Sequence, residues 1–192
     1  VLSKRPMESL FENSNTRSPL DRAVLSALRH TKDVVRIQTP NLNDDDLLAE
    51  LLRAMDRGVR VDVVLTKNYE DFAESMPGQN GTNSEVVARL YQALDTRGVP
   101  RDHLRIREYS HDGITPVDGN APRASHVKML VFDDQRVLVT SMNMDTQSWN
   151  HSRGIGVLVD DATVTKSWLD QLFWPDFNRS FAAPQPPAGP SS

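Results

Sequence analysis

The sequence predicts an α/β fold: a single domain with a mixed, largely parallel β-sheet flanked by helices. Helix-like and strand-like stretches alternate along nearly the whole chain. The unit from Val34 to Leu65 reads strand, helix, strand with short connections, and such a unit implies a parallel strand pair. A length of 192 residues, 38% apolar and 25% charged, suits one compact core that needs no covalent staples.

Each element has its own signal. In "SPLDRAVLSALRHTK", Ser18 is a candidate N-cap, Pro19 sits at the first helical position, and Leu20, Val24 and Leu28 form one stripe. "DVVRIQTP" is a β-branched strand that Pro40 ends. "NDDDLLAELLRAMDRG" starts with acids that favour a helix N-terminus, buries Leu47, Leu48, Leu51, Leu52 and Met55, and stops at Gly58. "VRVDVVL" is the second strand, and "TKNYEDFAESMPGQNGTN" reads as loop from its Pro-Gly and Asn-Gly signals. A helix over "SEVVARLYQALDTRG" and a strand "HLRIREY" follow. The polar connection "SHDGITPVDGNAPRAS" delivers the chain to His126, a length that marks a loop as functional or disordered. "HVKMLVF" and "RVLVTS" are strands around the turn "DDQR", "IGVLVDD" is another, and "TVTKSWLDQLFW" closes with a helix. Residues 1–17 form a lead-in, 18–178 the domain, and 179–192 a Pro-rich tail expected to be disordered.

Composition narrows the chemistry. With no cysteine, disulfides and thiolate zinc sites are excluded. A net charge of −4 disfavours a non-specific nucleic-acid coat and leaves room only for a local basic cleft. No apolar run reaches the roughly 18 to 20 residues that span a bilayer, and "VLSKRPMESL" has no signal-peptide core, so membrane contact is expected to be peripheral.

His126 and Lys128 stand two apart in an otherwise apolar strand, so both project to one face while Val127, Met129 and Val131 project to the other. Asp133, an odd number of positions from His126, falls off that face at the turn and is expected to be structural support. The next strand ends at Thr140, Ser141 and Asn143, where the chain can fold back beside the same pocket. A phosphodiester needs an in-line nucleophile, positive charge for the developing oxyanions and an acid for the leaving alkoxide, and these residue types supply such groups.

His126, Lys128, Asp133, Ser141 and Asn143 match the HxKxxxxD(x)6GSxN pattern of the phospholipase D superfamily, at a chance of the order of 10⁻⁵ to 10⁻⁴. The stretch "VVRIQTPNLNDDDLLAELLRAMDRGVRVDVVL" also looks like the strand, helix and strand that precede that motif, and the resemblance runs from Ser18 to Phe177. It implies a metal-independent phosphodiesterase without cofactor. His126 would be nucleophile, as a phosphohistidine, or general acid; Lys128 would neutralise phosphate oxygens, with Ser141 and Asn143 assisting at the phosphate and Asp133 buttressing the turn. Superfamily members use two such motifs, so the single motif here implies a second half, in a longer chain or by pairing of two copies. The opening "VLSKRP" and the segment "PGQNGTN" resemble the second half of two-motif proteins. Phospholipid is the expected substrate, by hydrolysis or transfer. The alternatives are a homodimeric endonuclease of the same superfamily and a weak or inactive phosphate-binding half.

Two positions depart from the pattern. Thr140 stands where glycine is usual. Gly154, 28 residues beyond His126, stands where these proteins commonly place a glutamate that holds the other imidazole nitrogen, with Asp145 as a candidate substitute. Elsewhere, His151 with Asp160 and Asp161 lacks the spacing of a metal site, and "NLNDDD" reads as a solvated helix start rather than a calcium loop. Trp149, Trp168 and Trp174 are expected in core or rim packing, with Trp174 and Phe177 the candidates for membrane contact. Arg105, Arg107 and Arg123 are either a basic lip to the site or the wet face of an edge strand.

Overall fold

Capping chemistry sets the first boundary. In this computed structural model, which describes residues 1–4 and 18–188, Ser18 Oγ accepts the Asp21 N–H while the Asp21 carboxylate accepts the Ser18 N–H, and this capping box starts α1 (Pro19–His30). Strands β2 (Val34–Thr39) and β3 (Arg60–Leu65) lie parallel around α2 (Asp45–Asp56), as the βαβ pattern predicts. Asp44 caps α2 through the Leu47 N–H at 3.0 Å, and Gly58 leaves it at φ +91°, a conformation other side chains resist. One helical turn, α3 (Asp71–Glu74), interrupts the stretch expected to be loop. α4 (Asn83–Arg97) begins with a second capping box, Thr82 with Glu85, and β4 (Leu104–Glu108) pairs parallel to β3.

The chain then returns through β5 (Met129–Phe132), β6 (Arg136–Thr140), α5 (Thr146–His151), β7 (Gly154–Asp160), α6 (Ala162–Trp168), a π-helical turn (Leu169–Phe173) and α7 (Trp174–Arg179). Pro175 explains the π-turn, because it offers no N–H and crowds the preceding turn, forcing the hydrogen-bond ladder to widen just before it. β1 (Leu2–Lys4) and β8 (Phe181–Ala182) complete a sheet of order β1-β7-β6-β5-β2-β3-β4-β8. Two neighbouring pairs are parallel and five antiparallel. The sheet is therefore mixed, but not largely parallel as expected. The turn between β5 and β6 is too short for a crossover and makes that pair antiparallel, while β5 enters at the carboxyl end of β2 and so runs back beside it.

Helices cover both faces. α1, α2 and α4 bury Leu28, Leu51, Val86 and Leu94 against one side, with Ile37, Val63 and Leu130 of the sheet. The turn and helix from Leu169 onward bury Phe173 and Phe177 against Val64 and Val131 on the other. The tail expected to be disordered from residue 179 is ordered as far as it is described. Phe181 and Ala182 pair with Glu108 and Arg107, Ala183 is buried with its N–H on the Ile106 carbonyl, and the Arg101 guanidinium donates to the carbonyls of Pro186 and Pro187. Proline cannot donate to a ladder but its carbonyl still accepts, and the segment covers an otherwise open edge of β4. Residues 5–17 of the lead-in and 189–192 of the tail lie outside the described residues.

Asp133 and Asp134 both take φ +53° in the three-residue turn between β5 and β6, the left-handed backbone of a primed turn, which the Gln135 N–H closes onto the Phe132 carbonyl. The Asp133 carboxylate accepts the N–H groups of Lys32, Asp33 and Val34 at 2.8 to 3.2 Å, tying the hairpin to the start of β2.

Candidate active site

β2, β3 and β4 all end on one side of the sheet, where crevices for ligands open in α/β folds. β5 starts at that end, because Met129 pairs with Gln38. His126 and Lys128 stand just before β5 rather than inside it, contrary to the strand expected from residue 126. Ser125 is drawn aside by Thr66 Oγ1, which donates to its carbonyl at 2.9 Å, and by Gln38 Nε2, 3.2 Å from its hydroxyl. The alternation nonetheless persists. Val127 packs toward the Phe173 side, and Lys128 is buried, with Nζ donating to the His126 carbonyl at 2.8 Å.

The imidazole is exposed, and its Nε2 lies 2.7 Å from the Tyr69 hydroxyl, with the ring centroids 5.7 Å apart. The Asn143 side chain lies beside the same hydroxyl and draws its pKa down against the rise from burial. The structure thus brings His126 and Lys128 together and sets Tyr69, with Asn143 beside it, against the imidazole. Burial and the neighbouring Lys128 charge push the His126 imidazolium below its ordinary 6.5, against Glu70. Burial pushes the Lys128 ammonium down to about 8, while Asp145 and Glu70 pull it up. Burial pushes the Glu74 carboxyl up to about 7, against the Asn41 and Asn43 amides that donate to it at 2.6 and 2.5 Å.

Ser141 is turned away from this cluster. Its Oγ accepts the Ile155 N–H at 3.1 Å and its N–H donates to the Ile155 carbonyl, pinning the end of β6 to β7. Thr140, in the glycine position, is accommodated: its hydroxyl donates to the Ile155 carbonyl and accepts the Met142 N–H. Asp133 sits at the far end of β5, where its hydrogen bonds are those of a buttress. Asp145 is buried as the N-cap of α5, accepting the Ser148 N–H, and it reaches the cluster through its field on Lys128 and Tyr69.

Gly154 is more than a missing side chain. A Cβ there would stand 2.2 Å from both Cγ and Sδ of Met142, which is itself buried. Met142 therefore fills the space from which a residue at 154 would project. Gly154→Ala is expected to destabilise the fold by about 1–3 kcal/mol through overpacking. Paired with Met142→Ala it should cost clearly less than the sum of the two single changes, as read from denaturant unfolding of all four proteins.

Several other expectations resolve differently. Arg105 and Arg107 form neither a lip to the site nor a bare wet face. Arg105 pairs with Asp62, Arg107 donates to the carbonyls of Phe177 and Ser180, and both stack on the Phe177 ring. Arg123 is exposed on the connection before His126. Phe177 is buried, and the half-buried Trp174 packs against it and under Arg36. Trp149 is core and Trp168 rim. In "NLNDDD" only the last two acids face solvent; Asn41, Asn43 and Asp44 are buried, two of them holding Glu74. No group of three or more histidine, aspartate or glutamate side chains among the described residues is placed to hold a metal ion. Tyr69, Glu70 and Glu74 lie in a segment whose Gly and Pro signals hide its contacts, which only the folded chain supplies.

Comparison with solved structures gives the same fold at low sequence identity. Nuc from Salmonella typhimurium, a phospholipase D family member, matches with TM-score 0.60 at 19% identity, over 88% of this chain and 93% of that one. NucT from Helicobacter pylori matches with TM-score 0.58 at 12% identity, over 84% and 89%. Phosphatidylserine synthase from Haemophilus influenzae matches with TM-score 0.64 at 15% identity over 87% of this chain, which spans 37% of that longer protein. No curated protein sequence matches the chain. The family model described as cardiolipin synthase, PLD-like domain, matches residues 24–176, which span both the βαβ unit and the histidine–lysine motif. With that match, and with the fold it shares with Nuc and phosphatidylserine synthase, the chain belongs to the phospholipase D superfamily.

Proposed function

We propose that the chain carries a phosphodiesterase site of the phospholipase D type, acting through a phosphohistidine on His126, without a metal ion, on phospholipids. The observation that carries this reading is the gathering of His126 and Lys128, with Tyr69 against the imidazole and Asn143 beside the phenol, at the carboxyl ends of the parallel strands. With its pKa lowered, the imidazole is neutral near pH 7 and keeps a lone pair for phosphorus. Its Nε2–P bond forms as the bond from phosphorus to the leaving oxygen breaks, and that alkoxide takes a proton from an acid contributed by a second half. Water then attacks the phosphohistidine, gives its proton to the same group and frees His126. Lys128 supplies the positive charge that a metal would otherwise supply to the phosphoryl oxygens, and Asn143 adds a donor.

The exposure of His126 supports pairing, because a phosphohistidine needs a wall that excludes stray water and this half leaves the ring open. The acidic net charge and the family of the matching model favour lipid over nucleic acid. The test is release of head group from phospholipid vesicles against nicking of plasmid DNA, both in excess chelator and across protein concentration. Lipid turnover whose specific activity climbs with concentration is expected; DNA cleavage alone, or a requirement for added metal, contradicts the proposal.

A further inference from the structure

In the family resemblance a glutamate would orient the motif histidine from position 154, but here Met142 occupies that space and no side chain projects from Gly154. The partner given to His126 is Tyr69, whose hydroxyl is 2.7 Å from Nε2. This is not a loose side chain that happens to lie near. Its neighbours Asn68 and Glu70 both take φ +52°, a backbone that non-glycine residues adopt at a cost. Its main chain packs so tightly on Gly119 that a Cβ there would stand 2.5 Å from Tyr69 Cα. Lys67 accepts the Gly119 N–H at 2.7 Å through its carbonyl, and Asn68 Nδ2 reaches Asp118 at 2.9 Å, so the loop at 118–119 fixes the main chain that carries the phenol.

We propose that Tyr69 is the positioning residue of His126: its O–H donates to Nε2, holds the imidazole in the Nδ1–H tautomer and keeps the Nε2 lone pair aimed at the place the hydroxyl occupies, which it yields to an incoming phosphodiester. Donor and acceptor rules give the direction. Burial holds the Tyr69 hydroxyl above its ordinary 10, so the phenol keeps a proton to give to Nε2. A neutral imidazole accepts at Nε2 only when Nδ1 carries the proton. In the proposed attack phosphorus meets Nε2 where the hydroxyl now sits, so an incoming phosphodiester displaces the hydroxyl rather than joining it. Only this displacement rests on the proposed function; the tautomer assignment stands without it.

The test is nitrogen NMR of the full chain labelled at histidine, titrated with pH as wild type and as Tyr69→Phe. The charged groups that act on the ring, Lys128 lowering and Glu70 raising its pKa, are the same in both proteins, as are Asp145 and Glu74, which face Tyr69. Wild-type His126 should show an unprotonated Nε2 in its neutral form. In Tyr69→Phe, loss of the donor to the neutral ring should mix in the Nε2–H tautomer and raise the His126 pKa by roughly 0.5–1 unit. The other four of the five histidines are the control, since a general disturbance of the fold moves them too. An unchanged His126 pattern and titration overturns the assignment. Added inorganic phosphate should bind Tyr69→Phe several-fold more tightly than wild type. Equal or weaker binding overturns the displacement, whereas phosphate that perturbs neither protein counts against the phosphate site itself and leaves the tautomer result to decide the role of Tyr69.

Discussion

His126→Ala is expected to reduce turnover of a phosphodiester by at least ~10³-fold, the scale of losing a nucleophile, while the unfolding transition stays where it was. The ring is exposed and gives up a hydrogen bond to Tyr69, so stability should change within about 0.5 kcal/mol, as for other surface substitutions. That separation makes the result informative. A drop in activity accompanied by unfolding would say only that the loop had lost its anchor. The same residue sets the acid limb of the wild-type pH profile. Because burial and Lys128 hold the imidazolium below its ordinary 6.5, kcat/KM should fall only once the pH drops below that value.

Lys128→Met is expected to cost about 10²–10³ in turnover, the usual loss when one preorganised donor to a developing oxyanion is removed. It should also make the protein more stable near neutral pH. Lys128 is 8% exposed and its ammonium is pushed down to about 8, so the folded state pays to keep it charged. Between about 8 and the ordinary 10.5 the unfolded chain binds more protons than the folded one, and the wild type therefore gains stability as pH rises through that window. Lys128→Met, with no charge to bury, should lose that slope and melt at higher temperature at pH 7. The alkaline limb of the activity profile should lie near 8 in the wild type and move out of range in Lys128→Arg, whose guanidinium does not deprotonate there. A Lys128→Met protein that is both less stable and fully active would contradict the account of this residue.

The sequence carried the boundaries better than the pairings. Ser18 and Pro19, Gly58 and Gly98 announce helix ends through local chemistry, and the helices begin or end there. Parallel pairing of β2 with β3 follows from the length of the helix between them. The antiparallel balance of the sheet is settled by which strand lies beside which, and no local pattern carries that information. The proline-rich end misled because composition reports what a segment can do alone; the bonds from Arg101 to the carbonyls of Pro186 and Pro187 come from the rest of the fold. At the site, the spacing of two sets the Lys128 ammonium on the His126 carbonyl, and Asp133 lies at the far end of β5, bonded to the start of β2. Ser141 and Asn143 share the same short stretch, yet one bonds to β7 and the other lies beside Tyr69, because the chain turns there, with the Met142 N–H folded back onto the Thr140 hydroxyl. Tyr69 was not legible at all. It lies 57 residues from His126, in a loop with no periodicity, and its role exists only through the contact.

The most direct test of the central claim is intact-mass and acid-lability analysis of the chain after brief reaction with bis-p-nitrophenyl phosphate in excess chelator. An aryl leaving group departs without a general acid, so the first step needs the nucleophile of this half alone. The expected result is an acid-labile phosphoryl adduct that maps to His126 and is absent from His126→Ala. Absence of any adduct while p-nitrophenol is released, or an adduct on a different residue, would contradict a phosphohistidine mechanism at this site.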